Sequence, residues 1–128
     1  MSKWTNVPED ISQYHGFIYK ITHKPTGKYY IGKKFFWSMK TRPPLKGRKN
    51  KRHYIVESDW KNYWGSSNNL LADVEKYGKK DFERIMIEVC ETKFDCAYQE
   101  LVYQIDYDVL NDKLSHNEII NVRLRKRK

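Results

Sequence analysis

The chain is poor in cysteine, has no long apolar run and lacks acidic residues over one extended stretch, and each lack narrows what it can be. Its two cysteines, Cys90 and Cys96, form no CxxC pair. No disulfide framework is therefore expected, and the pattern suits a reduced compartment. Adding His116 gives no paired ligand spacing and no fourth partner, which argues against a structural zinc site. No apolar run is long enough for a bilayer, and Met1 to Asp10 lacks the apolar centre of a signal peptide, so the expectation is a cytoplasmic protein without a membrane partner. There is no internal repeat and no low-complexity segment.

What is present in excess is positive charge. Lys and Arg number 25 against 16 Asp and Glu in 128 residues, a formal charge of +9, which favours a polyanionic partner. Charge alone does not separate DNA from RNA or an acidic membrane. Its distribution says more. From Lys33 to Arg52 there are nine basic residues (Lys33, Lys34, Lys40, Arg42, Lys46, Arg48, Lys49, Lys51 and Arg52) and no acidic one. The chain ends in Arg123-Leu124-Arg125-Lys126-Arg127-Lys128, whereas Asp73 to Asp112 holds eleven acidic residues against five basic. Solvated surface is the plain alternative for such runs.

The order of elements is legible from residue types. Phe17 to Thr22 and Lys28 to Gly32 are rich in β-branched and aromatic residues and flank His23-Lys24-Pro25-Thr26-Gly27. Pro25 suits the second position of a type I turn and Gly27 the fourth, which predicts an antiparallel hairpin with Phe17, Tyr19 and Ile21 on one face. Residues 1 to 15 read as an N-terminal arm. Phe35 to Tyr63, broken by Pro43-Pro44, reads as a long basic excursion. A serine of Gly65-Ser66-Ser67 can cap a helix carrying Leu70, Leu71, Val74 and Tyr77 and closed by Gly78. Phe82 to Val89 then reads as a strand with Ile85, Ile87 and Val89 alternating. Asp95 is a plausible cap for a second helix, with Tyr98, Leu101, Val102, Ile105 and Val109 on one stripe and Glu100, Tyr103, Gln104 and Tyr107 opposite. The fold class is α+β, with a small three-stranded antiparallel sheet (the N-terminal hairpin plus the later strand) flanked by helices. One domain over 16–121 is expected, with its insertion near 35–63 and a basic tail at 122–128.

Phe17-Ile18-Tyr19-Lys20-Ile21 followed by Gly27-Lys28-Tyr29-Tyr30-Ile31-Gly32, with ten residues between Tyr19 and Tyr30, resembles the signature of the GIY-YIG nucleases. The likeness continues in order. Gly65 to Gly78 and Phe82 onward resemble that family's second helix and third strand, Tyr98-Gln99-Glu100 its helix with a metal-binding glutamate, and His116-Asn117 its late Tyr-Asn element. Phe17 stands where the first motif has glycine, and the excursion is longer than in the simplest members. The free-standing form is similar to small nucleases of phage and mobile elements.

The resemblance implies a metal-dependent DNA endonuclease, and the residue types suit that chemistry. Phosphodiester hydrolysis needs an oriented water, a polarised phosphate and neutralisation of developing charge. Glu100 would anchor one Mg²⁺ or Mn²⁺, an ion that keeps several waters and needs few carboxylates. Tyr19 would accept a proton from the attacking water or orient it. A phenol with a free pKa of about 10 is a poor base unless cations lie beside it, a place Lys33 could fill. Tyr30 is the more structural of the two tyrosines. Arg42 would clamp the scissile phosphate, with Arg48 and Arg52 as rivals, and Asn117 would support the site. His53 is left out of the site. Lys34, Lys40, Lys46, Arg48, Lys49, Lys51, Arg52, Arg123, Arg125, Lys126 and Arg127 are the expected DNA contacts, and Trp37, Trp60 and Trp64 either stack bases or anchor the excursion. The partner implied is double-stranded DNA, with a homodimer or two successive visits needed to cut both strands. The competing reading is a basic DNA- or RNA-binding protein on the same fold without turnover. A carboxylate at Glu100 speaks against it, since a pure binder gains nothing from negative charge beside a phosphate.

Overall fold

A computed structural model describes residues 3–120 and 124–126. The N-terminal hairpin forms as expected: β2 (Gly16–His23) and β3 (Tyr29–Phe35) pair antiparallel with Tyr19 opposite Gly32 and Ile21 opposite Tyr30. Its turn is one residue wider than a type I turn, because Gly27 N–H bonds the His23 carbonyl at 2.8 Å while Gly27 takes φ +78°. A left-handed residue at that point is where glycine costs least.

The sheet is larger than expected, and mixed. Its order is β1 (Trp4–Thr5), β6 (Phe82–Cys90), β2, β3, with β1 parallel to β6 and the other pairs antiparallel. Residues read as an arm thus contribute a short edge strand. Two residues carry no periodicity to read, and the anchor is one side chain: the Trp4 indole donates to the Trp60 carbonyl at 2.8 Å and meets Phe17 edge-on. The excursion also acquires order. β4 (Trp37–Arg42) and β5 (Arg52–Glu57) form a separate two-stranded ribbon, with Pro43-Pro44 in the connection between them.

The four-stranded sheet buries both faces. Phe17, Tyr19, Ile21, Phe82 and Met86 lie on one with Trp4, Phe36, Trp60 and Trp64, together with Leu70 and Val74 of α1 (Asn68–Tyr77). That helix has the expected ends: Ser67 Oγ accepts from Leu70 N–H, and Gly78 closes it at φ +89°. On the other face Ile18, Tyr29, Ile31 and Cys90 pack with Cys96 of α2 (Lys93–Asp106) and with Val109. Both cysteines are buried free thiols.

Three sequence readings change here. The cap of α2 is Thr92, whose side chain accepts from Asp95 N–H, so Asp95 sits in the first turn. The apolar stripe of the helix is also only partly covered: Tyr98 and Ile105 are exposed and Leu101 and Val102 half-buried, while Cys96 and Gln104 are buried and Glu100 lines the cavity between β3 and α2. The inward polar groups are matched by partners, as Gln104 donates to the Ile31 carbonyl at 3.0 Å. Finally, Ile85, Ile87 and Val89 do not share a face. A bulge where Ile18/Tyr19 meet Met86 and Glu88 changes the register, leaving Ile87 on the α2 side and Val89 on the other.

Asn117 pins the strand that carries the site. Its Oδ1 accepts from Ile31 N–H at 3.0 Å and its Nδ2 donates to Ile31 C=O at 2.8 Å, both buried. Asn117→Ala strands the buried Ile31 N–H and leaves the Ile31 carbonyl to Gln104 alone, so we expect a loss of about 1–2 kcal/mol in urea denaturation. A change under about 0.5 kcal/mol would show that the pairing is dispensable.

Candidate active site

A cavity of about 310 Å³ opens where β2, β3, the base of the ribbon and α2 meet, lined by Tyr19, Tyr30, Lys33, Lys34, Phe35, Trp37, Ser38, Ser58, Ser66 and Glu100. Strand alternation alone does not put Tyr19 there. Its ring belongs to the core, 1% exposed, yet the residue contributes to the cavity wall. It can do so because the residue opposite is glycine: a Cβ on Gly32 would lie 2.6 Å from the Tyr19 hydroxyl. The tyrosine of the first motif and the glycine of the second are therefore two halves of one steric fit.

Tyr30 stands beside it, ring centroids 6.1 Å apart, its hydroxyl 3.3 Å from Ser66 Oγ. Lys33, two residues past Ile31 and next to Gly32, donates from Nζ to Glu100 Oε1 at 3.1 Å. This ion pair joins β3 to α2 across the cavity, with the Glu100 side chain only 13% exposed. Lys34 turns the other way, pairing with Asp59 at 2.7 Å and lying over the Tyr63 ring. Five of the sequence-derived residues thus come together: Tyr19, Tyr30, Lys33, Lys34 and Glu100.

Others are placed elsewhere. Asn117 lies behind the site, holding Ile31 rather than reaching the cavity. Arg42 is exposed at the end of β4, its guanidinium 4.2 Å above the Tyr54 ring, outside the cavity lining. Its rivals Arg48 and Arg52, and Lys40, Lys46, Lys49 and Lys51, are exposed along the ribbon and its connection. Arg125 and Lys126 are exposed too, while Arg123 and Arg127 lie outside the described residues. Trp60 and Trp64 anchor the core, and Trp37 lines the cavity. Ser38, Ser58, Ser66 and Tyr63 were not foreseen. Their proximity is made by chain crossings that leave no local pattern.

Tyr63 is held from behind by Arg84, which donates to the carbonyls of Lys61 and Tyr63 at 3.2 and 2.7 Å. The guanidinium is sandwiched between Trp4 and Trp64, and burial pushes its pKa down to about 10.

Electrostatics fix the state of the two phenols. Burial, then the neighbouring Tyr63, Tyr30 and Glu100, pushes Tyr19 well above its ordinary value. Burial likewise raises Tyr30, against lowering contributions from Ser66 and Lys33. Both are neutral hydrogen-bonding phenols at neutral pH. Tyr29, buried and bonded to Asp112 at 2.6 Å, is also raised. Raised phenols favour the folded state fully below the unfolded pKa near 10, and that contribution is lost as pH climbs from about 10 through the folded values. Alkaline titration at 295 nm is expected to show these tyrosines ionising only with unfolding; normal titration near pH 10 in the folded protein would contradict their burial.

The donor set suits one hard cation. Glu100 is a lone carboxylate among hydroxyl oxygens, and among the described residues no three His, Cys, Asp or Glu side chains cluster as a closed metal cage. Such a set is unlike the closed ligand cage of a structural zinc site. It fits an ion that retains most of its waters.

Among known protein families, the chain matches one described as "Putative endonuclease segE, GIY-YIG domain" over residues 2–121. No curated protein and no solved structure matches it.

Proposed function

The chain belongs to the GIY-YIG endonuclease domain family, and from that premise we propose that it is a divalent-metal-dependent nuclease that hydrolyses phosphodiester bonds of duplex DNA in the Tyr19–Glu100 cavity. The observation that carries this reading is the Lys33–Glu100 pair facing two neutral phenols in one cavity. A binder needs cations there and no carboxylate; a hydrolase needs both signs.

Glu100 is the residue that would hold Mg²⁺ or Mn²⁺, which when bound supplies polarisation of the phosphate and charge neutralisation at the leaving oxygen. The protein's own groups account for the rest. Tyr19 and Tyr30 present hydroxyls that orient a water, as neutral phenols rather than as a phenolate base. Lys33 exchanges its contact with Glu100 for a phosphate oxygen, where its charge counters the negative charge that grows during attack. Lys34 and the lysines of the ribbon and its connection hold the flanking backbone. A single such cavity cuts one strand per visit, so cutting both strands calls for a second copy or a second visit.

The test is supercoiled plasmid with Mg²⁺ or Mn²⁺, with EDTA as control and binding followed by gel shift. Open-circle product that depends on metal is expected. Tight binding with no cutting on any DNA tried would replace the nuclease reading with that of a binding protein.

A further inference from the structure

The ribbon has two unlike faces. Cross-strand partners Ser38–Val56, Lys40–Tyr54 and Arg42–Arg52 share one, and Trp37–Glu57, Met39–Ile55 and Thr41–His53 the other. Both faces reach the cavity at the ribbon's base, where Trp37 and Ser38 both line it, but on the first the positive charge continues, with Lys40 acting on Asp59 beside Lys34. Further out, this face ends in two guanidinium groups directly opposite each other. Like charges at that position cost stability. Both are nevertheless held in place: Arg42 stacks on Tyr54 at 4.2 Å, and Arg52 Nε donates to the Pro43 carbonyl at 3.3 Å. From Lys33 to Arg52 the sequence supplies no carboxylate to neutralise them.

We propose that Arg42 and Arg52 form a second DNA subsite, separate from the catalytic cavity, that takes a pair of acceptor atoms on the duplex about four base pairs from the scissile phosphate. The spacing follows from the strand: four residues from Ser38 to Arg42, at about 3.3 Å each, span about 13 Å. At about 3.4 Å per nucleotide along one strand, that is about four steps. Planar, pre-positioned forks match either two phosphate oxygens or O6 and N7 of guanine. The subsite deepens the nuclease reading and rests on it for the position of the cut, but its contribution to binding is independent of turnover.

Binding is measured in EDTA by fluorescence anisotropy on 30-base-pair duplexes across a salt series, and nicking with metal under single-turnover conditions. Arg42→Gln and Arg52→Gln are each expected to weaken binding about 5- to 10-fold. Each should flatten the slope of log affinity against log salt by about 1, with the kinetic loss in the half-saturating enzyme concentration rather than in the maximal cleavage rate. Met39→Ser, on the opposite face, reports on the ribbon's folding and should bind as wild type does. Equal weakening on all duplexes assigns phosphate; weakening only where guanine lies about four base pairs from the nick assigns the base edge. An unchanged affinity and salt slope in the double variant would overturn the proposal, and so would a loss of maximal cleavage rate as deep as that of Glu100→Gln. If the wild-type protein binds but never cuts, the nuclease reading falls while the salt slopes still decide whether the subsite exists.

Discussion

Glu100→Gln is expected to lower metal-dependent nicking at least about 1,000-fold while DNA binding stays the same or tightens. The two effects have opposite signs because one side chain is involved in both. Glu100 is the lone carboxylate of the cavity, so its loss removes the ion's protein anchor and the transition-state charge stabilisation that comes with it. The same change removes a negative charge from a pocket that must accept phosphate, and releases Lys33 from its 3.1 Å contact to bind DNA in the ground state. Nicking rates and gel shifts on the same preparations read both. Weaker binding accompanied by unchanged nicking would mean that Glu100 organises the cavity and holds no ion.

Tyr19→Phe is expected to cost about 100-fold in kcat, within the usual range for a group that positions a proton transfer. Stability should hold to within about 1 kcal/mol, because the ring, which fills the core against Trp4, Phe17 and Tyr63, remains. The pH dependence adds discrimination. A neutral phenol whose ionisation is pushed up by burial gives no activity rise toward pH 10, whereas a phenolate base would. A mutant that retains full kcat would reduce Tyr19 to a packing residue.

Parts of this protein were legible because local chemistry and global fold agree there. The hairpin that carries Tyr19 and Tyr30 follows from β-branched and aromatic runs around Pro25 and Gly27, and α1 from Ser67, the spacing of its apolar residues and Gly78. Legibility failed where tertiary contacts outweigh pattern. The inward face of α2 contains Glu100 and Gln104 because an ion pair and a strand carbonyl satisfy them, so the apolar stripe alone did not show that Tyr98 and Ile105 are exposed. β1 depends on one indole meeting Trp60 and Phe17, contacts 56 and 13 residues away in sequence. The excursion could not be read as a ribbon, since both of its faces are partly solvated and its centre is polar.

Within the site the same division holds. The resemblance to the family signature pointed to Tyr19, Tyr30, Lys33 and Glu100, and these four line one cavity. Spacing alone selected Arg42, and the course of β4 places it along the ribbon instead. The serines at 38, 58 and 66 lie on three separate segments, and no one-dimensional signal links them.

The most direct test of hydrolysis in this cavity is cleavage in H₂¹⁸O with Mg²⁺, followed by mass spectrometry of the new phosphate ends. One solvent oxygen per cut, absent with EDTA and with Glu100→Gln, is the expected result. Ends that carry no solvent oxygen, or cuts that persist without Glu100, would contradict it.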